Sequence, residues 1–225
     1  MSSRIASILA LAATLLGGCA TTQPRLATDR QQISYVVGYR IGLNLRSEHM
    51  DVDHRVLLMA IRDAQHDRPS RLSAGQTRTA IATYQHRREK EFAAQAQKNL
   101  VAGEKFLAAN RSKAGVVTLP SGLQYKIVVE GTGRRPAISD TVVANYRGMH
   151  IDGREFDSSH RHGGPATFPV SGVIRGWQQA LQLMPVGSRW RIFVPADLAY
   201  GATGSGSIIG PDETLVFDIQ LLNIK

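Results

Sequence analysis

The first apolar feature of the chain is a short run near its N-terminus. Residues 5–16 are largely apolar, and Arg4 is the only charged residue before them. The run is too short to span a bilayer, which needs about 20 residues, but it is typical of a secretory signal peptide. We therefore interpret residues 1–18 as a signal peptide whose removal leaves Cys19, the single cysteine of the chain, at the new N-terminus.

The next apolar pattern is helical. Residues 19–28 are mostly polar and are predicted to be a tether. From residue 29 to about residue 64, apolar residues recur at helical spacing and indicate two helices, with Asp29 and Asp51 as candidate N-caps. Pairing of two chains would bury this apolar stripe, so residues 29–72 are predicted to be a dimerisation region.

Residues 73–110 form the longest stretch without a strand or turn signal. Ser73 and Gln76 have the spacing of a capping box. No proline interrupts the stretch, and residues of high helix propensity dominate it. A helix of this length would extend roughly 55 Å at about 1.5 Å per residue. Because its apolar residues are sparse, we interpret it as a connecting helix or a partner surface and not as a core element.

From Gly122 onward the pattern alternates between apolar and polar residues, which predicts strands. Asp152 and Gly153 are typical of a hairpin turn, and residues 173–183 indicate a short amphipathic helix. The predicted fold class is α+β: an all-α N-terminal arm with a long connecting helix, followed by an antiparallel sheet of about five strands wrapped around one short helix. The predicted strands include residues 123–127, 141–149, 190–194 and 215–224.

Composition and charge narrow the function classes. The net charge is +9, from 27 Lys and Arg against 18 Asp and Glu. The basic residues are spread along the chain, and Arg87-Arg88 and Arg134-Arg135 are the only adjacent pairs. This distribution favours weak attraction to anionic lipid or acidic polypeptides over nucleic-acid binding. A single cysteine permits no disulfide within the chain.

Residues 120–225 resemble the FKBP family of peptidyl-prolyl isomerases, and residues 115–225 are accordingly expected to form an isomerase domain. The helical arm is similar, through residues 34–38 and 58–64, to the exported Mip- and FkpA-like bacterial branch of that family, whose members form V-shaped homodimers. The FKBP motifs occur in order at residues 119–125, 146–159, 173–177, 184–187, 200–204 and 215–218.

The resemblance implies a pocket. Trp177 would be its floor, the backbone N–H of Ile174 and the hydroxyl of Tyr200 would hold substrate carbonyls, and Asp157 would bond to the Tyr146 hydroxyl. Proline-containing polypeptides are the implied substrates, and macrolide inhibitors of the rapamycin type are implied ligands. The full set is Tyr146, Phe156, Asp157, Val173, Ile174, Trp177, Tyr200, Ile209 and Phe217.

Two departures from the family pattern bear on substrate preference. Ala166 stands near the place of a wall aromatic, and Phe168 follows two residues later. The loop after Asp157 carries His160 and His162. Two histidines without a third evident ligand do not predict a metal site.

The predicted reaction is rotation about a prolyl peptide bond, whose barrier is about 18–20 kcal/mol. It requires no nucleophile, metal or cofactor. The glycine-rich stretch at residues 201–206 lacks the lysine and helix context of a phosphate-binding loop and is interpreted as a loop over the pocket. The alternatives are a periplasmic holdase chaperone in which isomerase activity is secondary, and a structural or adhesive surface lipoprotein.

The sequence around Cys19 predicts a lipid anchor. Residues 16–19 read Leu-Gly-Gly-Cys and resemble a bacterial lipobox, and Ala20 in place of Asp implies sorting to the outer membrane of a Gram-negative cell. We expect Cys19→Ser to release soluble protein or to leave an uncleaved precursor. Fractionation of cells and the size of the processed chain measure this. Unchanged membrane association and processing in the variant would contradict acylation at Cys19.

Overall fold

The computed structural model describes residues 25–225, so the predictions made on residues 1–24, including the signal peptide and Cys19, lie outside the described residues. The chain divides into two compact units, one ending at Leu45 and one running from Arg46 to Lys225. None of the helices between residues 25 and 225 is long and apolar enough to cross a membrane.

The first helix, α1 (Asp29–Ser47), is capped one residue earlier than the sequence predicts. Thr28 Oγ1 accepts from Gln31 N at 3.3 Å, and Gln31 Oε1 accepts from Thr28 N at 3.1 Å. The predicted cap, Asp29, is instead the first helical residue, where its negative charge suits the helix dipole. No residue of α1 is buried.

Helices α2 (His54–Gln65) and α3 (Ala74–Asn110) begin at side-chain caps. Asp53, and not the predicted Asp51, accepts from the first N–H groups of α2. The predicted capping box of Ser73 and Gln76 is confirmed at the start of α3, which is 37 residues long. Asp63, near the end of α2, accepts from Arg71 Nε at 2.6 Å, which ties α2 to the turn before α3.

Seven antiparallel strands form one sheet, two more than predicted, with the order β1-β2-β6-β7-β3-β4 and with β5 paired to β3. The additional strands, β1 and β5, have 3 and 4 residues, too few for an alternation pattern to identify. The strands are β1 (Val116–Thr118), β2 (Gln124–Val129), β3 (Thr141–His150), β4 (Glu155–Ser158), β5 (Ala166–Pro169), β6 (Arg189–Val194) and β7 (Leu215–Ile224).

Strand β3 is long enough to pair with two short strands along one edge. Its first half pairs with β5 and its second half with β4. The connection between β4 and β5 begins with a turn of 3-10 helix at Ser159–His162. The connection therefore begins two residues after Asp157, which lies on the edge strand β4.

The main core lies between the inner face of the sheet and helix α4 (Arg175–Leu183). Trp177, Ala180 and Leu181 face inward as predicted and are buried, and Met184 caps the helix end. A β-carbon on Gly176 would lie 2.4 Å from Val194 Cγ1, so glycine is what allows α4 to approach β6 this closely. The sheet contributes buried Val142, Ala144, Ile192, Val194, Leu215, Phe217, Ile219 and Leu221.

The outer face of the sheet is covered by the C-terminal part of α3. Phe106 contacts Phe193 with ring centroids 5.9 Å apart. Buried Gln124 accepts from Asn110 Nδ2 at 2.9 Å and donates to the Leu107 carbonyl at 2.9 Å. The end of the long helix is thus packed against the sheet through both apolar and polar contacts.

Helix α3 packs closely against Thr214, the residue before β7, at Gly103, where an added β-carbon would be 2.3 Å from Thr214 Oγ1. We expect Gly103→Ala to destabilise the protein by about 1–2 kcal/mol, because overpacking costs about 1–3 kcal/mol and exceeds the gain of up to about 1 kcal/mol in helix propensity. Denaturant unfolding measures the change.

Gly75→Ala in the first turn of α3 is the matched control, since its nearest contact would be Ser73 Oγ at 3.8 Å. It should be neutral or stabilising. The double variant Gly103→Ala/Thr214→Ala should recover part of the loss, because the clashing hydroxyl is removed. A Gly103→Ala protein as stable as the Gly75→Ala protein would show that α3 does not dock in this way.

Candidate active site

The candidate site is centred on the indole of Trp177, which is 5% exposed. Three aromatic rings meet it edge to face, with centroid distances of 5.5 Å for Tyr146, 5.5 Å for Phe168 and 5.4 Å for Phe217. Such edge contacts suit the charge distribution of aromatic rings. They place an apolar aromatic cluster where the inner faces of β3 and β7 meet α4.

Phe156 extends this cluster to the sheet edge. Its ring meets Phe217 edge to face at 5.7 Å. A β-carbon on Gly148 would lie 2.6 Å from Phe156 Cζ and 3.0 Å from Phe217 Cε1. Because glycine has no side chain, both rings can pack directly against the backbone of β3 at this position.

The polar centre of the site is the carboxylate of Asp157. Its Oδ2 accepts from the Tyr146 hydroxyl at 2.7 Å, which confirms the predicted hydrogen bond. Its Oδ1 accepts from Ser158 N at 2.9 Å and lies 2.8 Å from Nε2 of His162. Burial acts to raise the pKa of Asp157, but the hydrogen bonds from Tyr146 and His162 outweigh burial, and the pKa lies below its usual range.

Two tyrosine hydroxyls face this carboxylate. Burial, followed by the hydrogen bond to Asp157, raises the pKa of Tyr146 to about 12. Burial and the negative charge of Asp157 also raise the pKa of Tyr200, a residue that is 37% exposed. Both hydroxyls therefore stay protonated at neutral pH and can act as hydrogen-bond donors.

The segment before α4 forms another side of the site. Gln178 Nε2 donates to the Val173 carbonyl at 2.8 Å and to the Ser171 carbonyl at 3.3 Å, which fixes this segment against the helix. Ile174 precedes the first residue of α4, and its backbone N–H donates no hydrogen bond to another residue in the 25–225 range. One backbone donor is thus available beside the aromatic cluster.

Ile209 lies in the loop between Tyr200 and β7. It is 6% exposed and belongs to the same core cluster as Trp177 and Phe217. A bridge between Ser205 and Ile209 closes the loop, with Ser205 N donating to the Ile209 carbonyl at 2.8 Å. This bridge explains how a glycine-rich segment can hold an isoleucine against the cluster.

Each of the nine predicted pocket residues belongs to the main core cluster, packs against it, or interacts with Tyr146. Seven belong to the core cluster or pack against it, Asp157 bonds to Tyr146, and Tyr200 interacts electrostatically with Asp157. Within residues 25–225, no group of three or more His, Cys, Asp and Glu side chains could hold a metal ion.

Two residues of the site were missing from the predicted set. Phe168 contacts Trp177 directly. The four residues of β5 are too few for an alternation pattern to identify the strand, so the sequence did not place Phe168 in the set. His162 contacts Asp157. The sequence alone gives no signal for this contact, because it depends on the path of the Ser159–His162 turn.

Comparison with known proteins agrees with this geometry. Residues 30–127 match the family described as the domain amino terminal to FKBP-type peptidyl-prolyl isomerase. Residues 132–222 match the FKBP-type peptidyl-prolyl cis-trans isomerase family. The chain belongs to the FKBP-type peptidyl-prolyl cis-trans isomerases and is an enzyme of that class.

Individual relatives match over nearly the whole chain. "Outer membrane protein MIP" of Legionella longbeachae is 46% identical over 210 residues, covering 92% of this chain and 90% of the relative. "Peptidyl-prolyl cis-trans isomerase Mip" of Coxiella burnetii is 37% identical over 215 residues, covering 94% of each. The crystal structure of FkpA from Escherichia coli matches with a TM-score of 0.64 and 33% identity, covering 88% of this chain and 98% of that one.

Proposed function

We propose that the enzyme rotates prolyl peptide bonds over the face of Trp177, with Tyr146, Phe156, Val173 and Phe217 as walls. The observation that supports this is the edge-to-face arrangement of three rings around a nearly buried indole. Rotation removes amide resonance, so the twisted transition state is less polar than the planar amide. An aromatic site with little water would bind that state better than the ground state, which is what catalysis requires.

In this mechanism the polar groups orient the substrate and form no bond to it. The free N–H of Ile174 and the Tyr200 hydroxyl would donate to carbonyl groups of the substrate. Asp157 would hold and polarise the Tyr146 hydroxyl through their 2.7 Å hydrogen bond. The proposed ligands are proline-containing polypeptides and, as competitors for the same site, macrolides of the rapamycin type.

We further propose that the enzyme works in a bacterial envelope on exported polypeptides. The apolar N-terminal run supports export, and a relative is named as an outer membrane protein. Acylation of Cys19 would anchor the chain to the outer membrane, and the tether at residues 19–28 would separate the anchor from α1. The holdase alternative is less favoured, because the relatives are named as isomerases.

The arm is proposed to pair two chains into a homodimer. Helix α1 has no buried residue, and a β-carbon on Gly38 or Gly42 would meet no described atom within 4 Å. A large exposed apolar surface generally marks an interaction site, and a second copy related by two-fold symmetry would cover it. The exposed apolar residues of α1 are Ile33, Tyr35, Val36, Val37, Tyr39 and Leu43.

The residue roles are tested by Asp157→Ala and Tyr200→Phe. Asp157→Ala removes the contact to Tyr146, and Tyr200→Phe removes the proposed contact to the substrate. We expect each variant to lower kcat/KM on an X-Pro peptide about tenfold, which corresponds to about 1.4 kcal/mol. Isomerisation kinetics measure this, and near-UV circular dichroism checks the fold.

Tyr125→Phe is the matched control for loss of a phenol. Tyr125 lies on β2 and stacks on Trp190 at 4.3 Å, outside the site, so its variant should keep the parent rate. Parent rates in both Asp157→Ala and Tyr200→Phe would show that the proposed roles are wrong.

The dimer is tested by removing residues 20–72, which keeps the capping box at Ser73 and the docked end of α3. The shortened enzyme should be a monomer that isomerises short peptides normally but accelerates proline-limited refolding of a whole protein poorly. The reason is that two linked sites raise the effective concentration of a bound chain. Light scattering and a refolding assay report the two outcomes.

A point variant separates pairing from deletion. Val37→Lys changes an α1 residue that is 51% exposed, and Val117→Lys makes the same change at a 44% exposed position on β1. Only the first should weaken the dimer. A monomeric full-length protein, or equal refolding activity after deletion, would contradict the proposed arm.

A further inference from the structure

The turn between β4 and β5 places a histidine against the carboxylate of the site. His162 Nε2 lies 2.8 Å from Asp157 Oδ1, while the Tyr146 hydroxyl donates to Oδ2 of the same carboxylate. The two oxygens are therefore held from two sides. Neither the proposed mechanism nor the predicted pocket includes this histidine.

We propose that His162 is a positioning residue that orients the Asp157 carboxylate and whose change of charge makes isomerisation depend on pH. This inference rests on the proposed function, in which Asp157 holds and polarises the Tyr146 hydroxyl. His162 contacts the carboxylate and acts through it, and no contact with the substrate is assigned to its ring.

The carboxylate of Asp157 and the two tyrosines near it keep the same charge between about pH 5 and 8. The pKa of Asp157 lies below its usual range, the pKa of Tyr146 is about 12, and the pKa of Tyr200 is raised. Arg161, on the same turn, donates to the Phe156 carbonyl and remains positive. A histidine, by contrast, ordinarily changes charge within this interval.

Two further histidines lie close enough to compete as the source of a pH effect. His160 is exposed on the same turn, and no hydrogen bond of its ring occurs among residues 25–225. His150 is paired with Glu213 at 2.7 Å, and its ring meets the Phe156 ring edge to face at a centroid distance of 5.3 Å. Both are therefore needed as controls.

The direction of the effect follows from the ion pair. At low pH the imidazolium of His162 forms a charge-assisted hydrogen bond that holds the carboxylate and balances its charge. As the pH rises the imidazole becomes neutral, the attraction is lost, and the carboxylate is held less firmly. Because the His162 side chain is 65% exposed and that of Asp157 37%, solvent weakens the pair, and we expect kcat/KM to fall only about two- to fivefold between about pH 5.5 and 8.

The experiment uses the full chain, an X-Pro peptide without ionisable side chains, and NMR exchange spectroscopy, which needs no coupling protease. His162→Gln cannot become charged and should give a flat profile at the high-pH value of the parent. His162→Arg stays positive and should give a flat profile at the low-pH value. A merely structural role for the turn would not produce these two opposite plateaus.

His160→Gln should keep the parent profile and rate. Loss of the pH dependence in His160→Gln or His150→Gln, or its persistence in His162→Gln, would overturn the assignment to His162. These failures differ from failure of the proposed function, which would appear as a parent enzyme in which Asp157→Ala has no effect at any pH.

Discussion

The packing of Trp177 is the contact on which both the fold and the site depend. The same indole that joins α4 to the sheet is also the ring that Tyr146 and Phe217 meet edge to face in the aromatic cluster. Replacing it would open a cavity in the core, which costs about 3–5 kcal/mol for a large aromatic residue, and would also remove the centre of the proposed pocket. The apolar part of the site is therefore stabilised by the folding of the domain itself.

The rim of the site is built differently. Asp157, Tyr200 and His162 lie on a strand end, a loop and a turn, and all are partly exposed. Their contacts are hydrogen bonds and ion pairs that solvent weakens, so changes there alter the site without removing core packing. The proposed reaction forms no covalent bond and would tolerate this division, since Trp177 would supply a nonpolar surface and the rim would orient the substrate.

The sequence predicted most accurately what depends on local pattern. The capping box at Ser73, the inward face of α4 and the hairpin at Asp152-Gly153 each follow from residues within a few positions of one another. The caps of α1 and α2 were misplaced by one and two residues, because Thr28 and Asp53 are also good caps and only the helix path selects between neighbours.

The contacts that pattern could not predict join residues from different elements. The nine pocket residues came from resemblance to a family, since alternation alone identifies Tyr146 and Phe217 only as inward-facing. Phe168 was missed because β5 is defined by pairing with β3 and not by its own four residues. The pairing of His162 with Asp157 depends on the 3-10 turn at Ser159–His162, and Gly163, with a left-handed φ of 90°, ends that turn.

The outer face of the sheet links the long helix to this site through the loop before β7. Thr214 lies against Gly103 of α3, and its neighbour Glu213 is paired with His150, whose ring contacts Phe156. Asn99 of α3 also donates to the Pro211 carbonyl at 2.7 Å. Helix docking and the pocket wall thus share one short loop, which is why the last turns of α3 belong physically to the isomerase unit even though their sequence pattern is that of a connecting helix.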